Sequence, residues 1–224
     1  MDFTSKKVII FDLDGTLVDS VPDLASAINA MLADLKRPDF SEETIRHWVG
    51  NGAQTLVKRA LSGDVKIDET ISKNFFEKAL ALFLSHYHDH LAQKTRLYPG
   101  VVSTLEYLKQ QDYRLTIVTN KPIVFVEPLL KGLQIEHYFE HCLGGDSLER
   151  KKPDPLPLTY LCETLNVTVD EAVMIGDSKN DILAANAASM ESIGVTYGYN
   201  YGEPITHFGP TAVVDELTEL KAYF

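Results

Sequence analysis

Long apolar runs are missing from this sequence. No stretch approaches the ~18 consecutive apolar residues that a membrane-spanning helix needs, which argues against a membrane protein. The first apolar run is short and meets Asp12, so the N-terminus carries no secretory signal pattern. Cysteine is scarce: Cys142 and Cys162 are the only two, in no metal-ligand spacing. Free buried thiols and a reducing, cytoplasmic setting are the expectation. Positive charge is in deficit, 21 Lys and Arg against 32 Asp and Glu, for a formal net charge of -11. A nucleic acid or an anionic membrane needs a basic surface, so neither is an expected partner. A small anionic substrate still fits wherever the chain is locally basic, and Arg150-Lys151-Lys152 is the one basic triplet. No G-x-x-x-x-G-K-[ST] loop is present, which argues against an ATPase. Gly50 and Gly52 follow a helical pattern rather than a strand, so they make no dinucleotide fingerprint.

What is present is an ordinary globular composition, 45% hydrophobic and 24% charged over 224 residues. One stretch organises it, Lys7 to Thr16, read K-V-I-I-F-D-L-D-G-T. Val8, Ile9, Ile10 and Phe11 form a continuous apolar run, the pattern of a strand buried on both faces of a parallel sheet. Two carboxylates end it, Asp12 and Asp14, with Leu13 between. In extended backbone, residues two apart point the same way, so both acids converge just past the strand. Two anions there are costly unless a cation or a positive site balances them.

After this strand the periodicity is helical for a long way. Ser20-Val21-Pro22-Asp23 reads as a capping box opening a helix of Leu24, Ile28, Met31, Leu32 and Leu35. Helices are also predicted from Ser41, over Ala53 to Leu61, and from about Glu69 to Ala92. Beyond Tyr98-Pro99-Gly100 the pattern alternates. Strands are predicted at Arg114 to Val118, His141 to Leu143, Ala172 to Ile175, Ser192 to Val195 and Ala212 to Val214, with helices between. Pro128 requires either a kink or a late start for the helix that ends near Gly132, a plausible C-cap. This order predicts an α/β fold, a Rossmann-like doubly wound parallel sheet. The first two core strands are roughly 95 residues apart, where a crossover needs a dozen or more. The gap predicts an inserted helical cap domain. The expected boundaries are 1–17 and 95–224 for the catalytic core and 18–94 for the cap.

In open α/β sheets, ligands bind outside the carboxyl ends of the strands. Those ends carry Asp12 and Asp14, then Thr119 and Asn120, then Lys152, then Asp177 followed by Ser178 and Asp181. Clustered carboxylates call for a hard divalent cation, and Mg²⁺ takes a few carboxylates plus waters and a phosphate oxygen. A carboxylate can attack phosphorus to give an aspartyl-phosphate. The second acid, two residues on, is placed to protonate a leaving alkoxide and then to deprotonate the attacking water. Lys152, Thr119 and Asn120 would hold phosphoryl oxygens and offset their charge.

These motifs resemble the haloacid dehalogenase superfamily. D-L-D-G-T-L at Asp12 is similar to its first motif, Thr119-Asn120 to its second, Lys152 in K-P-D-P to its third, and G-D-S-K-N-D at Gly176 to Asp181 to its fourth. A narrower resemblance, to bacterial phosphoglycolate phosphatases, rests on V-D-S-V-P-D-L, V-G-N-G-A, L-V-K-R-A-L, Y-P-G-V, T-N-K-P, K-K-P-D-P-L-P-L and Y-G-Y-N-Y-G. It implies a Mg²⁺-dependent hydrolysis of 2-phosphoglycolate. It assigns the nucleophile to Asp12 and the acid/base role to Asp14. The Mg²⁺ ligands would be Asp12, Asp14 through its backbone carbonyl, and Asp177, with Asp181 and Ser178 behind them or bridged by water. Ser189-Met190 departs from the family pattern, where glycine is frequent at that helix end.

Substrate choice is expected from the cap. Gly52 and Ala53 open a helix whose backbone N–H groups could bind an anion, and Arg59 suits a carboxylate. A helix-entry turn with solvated charges explains the same residues. His86, His88 and His90 are read as solvated or packing residues, because His88 does not share the face of the other two. Three other readings stay open: a phosphatase acting on a sugar phosphate, a mutase, and a non-enzymatic phosphoacceptor domain, although receiver domains of that last kind are shorter and lack a cap. A monomer or a homodimer is expected.

Overall fold

The computed structural model describes residues 2–224. Its centre is β1 (Val8–Phe11), every residue of which is fully buried. A two-residue strand, β2 (Val18–Asp19), follows, and then four helices: α1 (Val21–Asp34), α2 (Glu42–Arg46), α3 (Ala53–Ser62) and α4 (Lys73–Asp89). β3 (Arg96–Leu97) returns antiparallel to β2. The chain then alternates through α5 (Val101–Gln110), β4 (Arg114–Val118), α6 (Val126–Gly132), β5 (Phe139–Leu143), α7 (Leu156–Leu165), β6 (Ala172–Gly176), α8 (Lys179–Ala187), β7 (Glu191–Val195) and β8 (Ala212–Val214).

Six strands form one sheet in the order β5-β4-β1-β6-β7-β8, with every pairing parallel. β1 lies between β4 and β6, Val8 opposite Arg114 on one side and Ala172 on the other. Alternation divides its side chains between two cores. Ile9 and Phe11 join the cluster of Leu115, Ile117, Val173 and Ile175. Val8 and Ile10 join Leu158, Leu161, Ala172 and Met174 on the opposite face. Burying an Ile, Leu or Phe side chain contributes about 1.5–3 kcal/mol, so β1 is fixed in place by its neighbours on both faces. The doubly wound parallel sheet expected from the alternation is therefore the observed fold.

Helices α1 to α4 build a third apolar cluster of their own, including Met31, Leu32, Trp48, Leu56, Phe83 and Tyr87. Phe125, from the loop after β4, reaches into it and meets the Tyr87 ring edge-on at 5.0 Å.

Three local expectations meet competition from distant partners. Ser20 and Asp23 form no capping box. The Ser20 hydroxyl goes to Asp14, while Asp23 accepts from the backbone N–H groups of Lys94 and Thr95 and from the Thr95 hydroxyl. Asp23 thus ties the two chain crossings together. The long helix starts at Lys73 rather than Glu69, because Asp68 takes the Thr70 N–H in a turn and Ser72 caps the helix. Gly132 ends α6 without a left-handed turn. That conformation falls on Gln134, at φ 60°. Pro128 sits in the first turn of α6, the late-start alternative.

Candidate active site

The carboxyl edge of the sheet gathers the acids and the lysine, Lys152, picked out in the sequence. Asp12 leaves the end of β1, and its Oδ1 accepts from the Leu13 N–H at 2.7 Å. Lys152 lies on the loop between β5 and α7 and is only 1% exposed. Its ammonium reaches Asp12 Oδ1 at 3.0 Å and Asp181 Oδ1 at 2.6 Å, and donates to the Val118 carbonyl at 2.5 Å. Asp181 caps its own helix, Oδ2 accepting from the backbone N–H and hydroxyl of Ser178 at 3.0 and 2.8 Å. Asp177, at the end of β6, accepts from the Thr16 hydroxyl at 2.8 Å and from the Tyr199 N–H at 2.7 Å. One oxygen each from Asp12, Asp177 and Asp181 lies within 4.8 Å of the others.

Packing around Asp177 admits no side chain. A Cβ at Gly15 (φ +94°) would come within 2.2 Å of Asp177 Oδ2, and one at Gly198 within 2.2 Å of its Cβ. These contacts explain glycine at both positions.

The electrostatics are those of a site short of positive charge. Burial pushes the Asp12 carboxyl up to about 7, with Asp181 adding to the rise and Lys152 opposing it. Burial also drives Asp177 well above the ordinary carboxylate range, helped by Asp181 and Asp12. Burial disfavours the Lys152 charge, but Asp12 and Asp181 outweigh it and hold the lysine protonated. Four carboxylates (Asp12, Asp14, Asp177 and Asp181) face two buried lysines, Lys152 and Lys121. With all four ionised the excess is two negative charges, which a divalent cation would balance. Oxygen-only donors are the set that hard divalent ions prefer.

Lys121 is the residue sequence reasoning missed. It follows Thr119 and Asn120 on the loop after β4, and Thr119 and Lys121 keep the two-residue spacing that pairs Asp12 with Asp14. Its side chain is 3% exposed, and its ammonium lies 2.9 and 3.2 Å from the two Asp14 oxygens. It also stands 4.7 Å over the Tyr87 ring. Ser20 Oγ supplies a further bond to Asp14 at 2.5 Å.

A pocket of about 40 Å³ opens between this edge and the helices of residues 21–89. Asp12, Asp14, Thr119 and Lys121 form its polar end, and Leu24, Val49, Leu56, Phe83 and Phe125 its apolar walls. Gly52 and Ala53 line it as well. Arg59 does not. Its guanidinium donates to the Trp48 and Val65 carbonyls at 2.7 and 3.3 Å, which commits it to the fold of its own helices. The Asn120 amide donates to the carbonyls of Gly50 and Lys152. Asn180 and Lys151 add bonds to the carbonyls of Gly50 and Asn51. The Gly50–Gly52 loop is thus an acceptor docked on the sheet edge by core donors.

Comparison with known proteins agrees with this geometry. A family model described as haloacid dehalogenase-like hydrolase matches residues 9–195. A phosphoglycolate phosphatase from Colwellia psychrerythraea is 51% identical over 220 residues, covering 98% of this chain and 97% of that protein. Phosphoglycolate phosphatase 1 from Pseudomonas aeruginosa is 46% identical, covering 96% of this chain and 78% of that protein. Among solved structures, a predicted phosphoglycolate phosphatase from Haemophilus somnus superposes with a TM-score of 0.89 at 40% identity, covering 96% of each chain. The match runs through both the sheet edge that carries the acids and the helices that wall the pocket, and the chain belongs to the haloacid dehalogenase-like hydrolase family.

Proposed function

We propose that this chain is a Mg²⁺-dependent phosphoglycolate phosphatase working through an aspartyl-phosphate on Asp12. The observation that carries the reading is the pairing of the carboxylate–lysine cluster with a small pocket walled by apolar side chains. A polyhydroxylated sugar would bury hydroxyls against Leu24, Val49, Leu56, Phe83 and Phe125 without partners, at about 1–3 kcal/mol each. A two-carbon acid has no such hydroxyls. The names of the relatives at 51% and 46% identity support the same substrate.

In this mechanism Asp12 Oδ2 attacks phosphorus, since the neighbouring contacts of Asp12 fall on Oδ1. The P–O bond to glycolate breaks, and Asp14 gives the leaving oxygen its proton. Asp14 then takes a proton from water, which attacks phosphorus and releases phosphate from Asp12. Lys152 holds Asp12 and Asp181 in place and offsets phosphoryl charge. Thr119 lines the phosphoryl end, and Asn120 fixes the Lys152 loop through that residue's carbonyl. Asp12, the Asp14 carbonyl and Asp177 would hold the Mg²⁺, with Ser178 and Asp181 behind them, and the ion would neutralise charge on the transferring group. Residues 18–94 act as a cap that parts to admit substrate, since a pocket of about 40 Å³ holds only a few water-sized particles. Two free cysteines and the net charge of -11 support a cytoplasmic enzyme, monomeric or homodimeric, with no nucleic-acid partner.

The test is phosphate release from 2-phosphoglycolate beside a panel of sugar phosphates, with Mg²⁺ and with EDTA. Mg²⁺-dependent release strongest on 2-phosphoglycolate is expected. Asp12→Asn should abolish it, and Asp14→Asn should slow it by about 10²–10⁴-fold, the usual worth of a general acid. Preference for a sugar phosphate would keep the mechanism and overturn the substrate. Full activity in Asp12→Asn would overturn the mechanism.

A further inference from the structure

Among the polar groups lining the pocket, Asn120 Oδ1 is buried without a partner but can only accept a hydrogen bond, and two donors remain that could meet an anion. The first is the Tyr87 hydroxyl. Tyr87 is 1% exposed, lines the pocket from α4, and its hydroxyl is buried with no hydrogen-bond partner among the described residues. A buried polar group without a partner is unfavourable, and natural proteins rarely keep one without a use. Phenylalanine would fill the same space between Phe83, stacked at 5.8 Å, and Phe125. The second atom is the Lys121 ammonium. A lysine has three N–H donors, and Asp14 takes two of them. Lys121 is the one cation lining the pocket among the described residues.

We infer that Lys121 Nζ and the Tyr87 hydroxyl form an anion subsite that binds the carboxylate of the substrate. The inference rests on the phosphatase reading above and deepens it by naming the groups that select a phospho-acid. Charge supports it, because Lys121 is the cation of this pocket and Leu24, Val49, Leu56, Phe83 and Phe125 offer a carboxylate no partner. Orientation supports it as well. In 2-phosphoglycolate one methylene separates the carboxylate from the ester oxygen. Lys121 touches Asp14, so a carboxylate held at Lys121 brings the ester oxygen to the acid that must protonate it. The same contact therefore binds the substrate and aligns its leaving group. Loss of the subsite should lower kcat as well as raise KM.

The test compares 2-phosphoglycolate with ethyl phosphate, which has a neutral methyl group where the acid has its carboxylate, in wild type, Lys121→Met and Tyr87→Phe. Wild type should favour the acid. Tyr87→Phe should lower kcat/KM on 2-phosphoglycolate about 10-fold, the worth of a hydrogen bond to a charged group. On ethyl phosphate it should change far less. Its melting temperature should rise by about 2–4 °C, because the unpartnered hydroxyl is gone. Lys121→Met should lower the acid-to-neutral ratio of kcat/KM about 10- to 100-fold. An equal fall on both esters in both variants would overturn the inference and leave Lys121 and Tyr87 with positioning or packing roles. So would an unchanged acid-to-neutral ratio. Wild type that turns over a larger phospho-acid but not 2-phosphoglycolate would defeat the substrate reading alone. The same ratio, measured on that acid and its neutral counterpart, would then decide the subsite.

Discussion

Lys152→Met removes the charge on which the buried acids depend. Lys152 contributes one ammonium to two carboxylates, at 3.0 Å from Asp12 and 2.6 Å from Asp181. Methionine keeps most of the volume and leaves both acids without their cation. Breaking a buried ion pair by deleting one partner costs about 3–5 kcal/mol. At about 2–4 °C per kcal/mol for a chain of this size, the melting temperature should fall by about 6–20 °C in EDTA at pH 8. The loss should shrink at pH 5. Asp12 already titrates near 7 with the lysine present, so at pH 5 it takes up a proton and no longer needs a counter-charge. Thermal melts of wild type and variant at both pH values, in EDTA and in Mg²⁺, measure all four terms. A variant that melts within about 2 °C of wild type at pH 8 in EDTA would refute the reasoning. It would mean that the two ion pairs only repay their own desolvation.

Other consequences follow from the same charge balance and from the backbone. The folded pKa of Asp12 lies above its unfolded value, so the native state holds the extra proton between about pH 4 and pH 7. The stabilisation from this group is present below that window and is lost as pH rises through 7 in metal-free protein. Stabilisation by Mg²⁺ should therefore grow from pH 5 to pH 8, and Mg²⁺ binding near pH 6.5 should release protons, as read by calorimetry in buffers of different ionisation enthalpy. Binding without proton release would show that the acids are already ionised. At the end of α8, Ser189 holds φ 57° while the Met190 N–H bonds back to the Ala185 carbonyl and its own N–H bonds to Asn186. This is the Schellman turn that glycine adopts without strain. Ser189→Gly should raise stability by a net ~0.5–1 kcal/mol, the left-handed penalty less the added freedom of the unfolded chain. A lower melting temperature in that variant would contradict this.

How much of the chain was legible in advance depends on how local each cause is. Four consecutive apolar residues ending in Asp12 specify a strand buried on both sides, and the same holds for Ala172 to Ile175. The parallel sheet followed from these runs because their neighbours need no further information to pack. Ser20 and Asp23 match the capping-box pattern without forming one, because that pattern spans only four residues. Their partners, Asp14, Lys94 and Thr95, are fixed by the return of the chain at β3, which no local window contains. Gly132 shows the same limit in reverse. Glycine is the usual left-handed terminator, yet the register of α6 put the turn at Gln134.

The site divides along the same line. Asp12, Asp14, Asp177 and Lys152 could be placed because strand ends define one edge of the sheet. Arg59 suits a carboxylate by its guanidinium and its place on the helix that Gly52 opens, but neither says whether that guanidinium is free. It is held by the Trp48 and Val65 carbonyls. Tyr87 stands four residues after Phe83, on the buried apolar face of its helix. Its ring packs between Phe83 and Phe125, and only its hydroxyl is out of place there. Helical periodicity reports where a side chain points and cannot report whether its polar tip finds a partner. Lys121 was within reach of sequence reasoning, since it stands two residues beyond Thr119 as Asp14 stands two beyond Asp12. The two pairs meet across the sheet edge, where Lys121 holds Asp14. Applying the two-residue rule at every strand end, and not only at the first, would have found the lysine beside the acid.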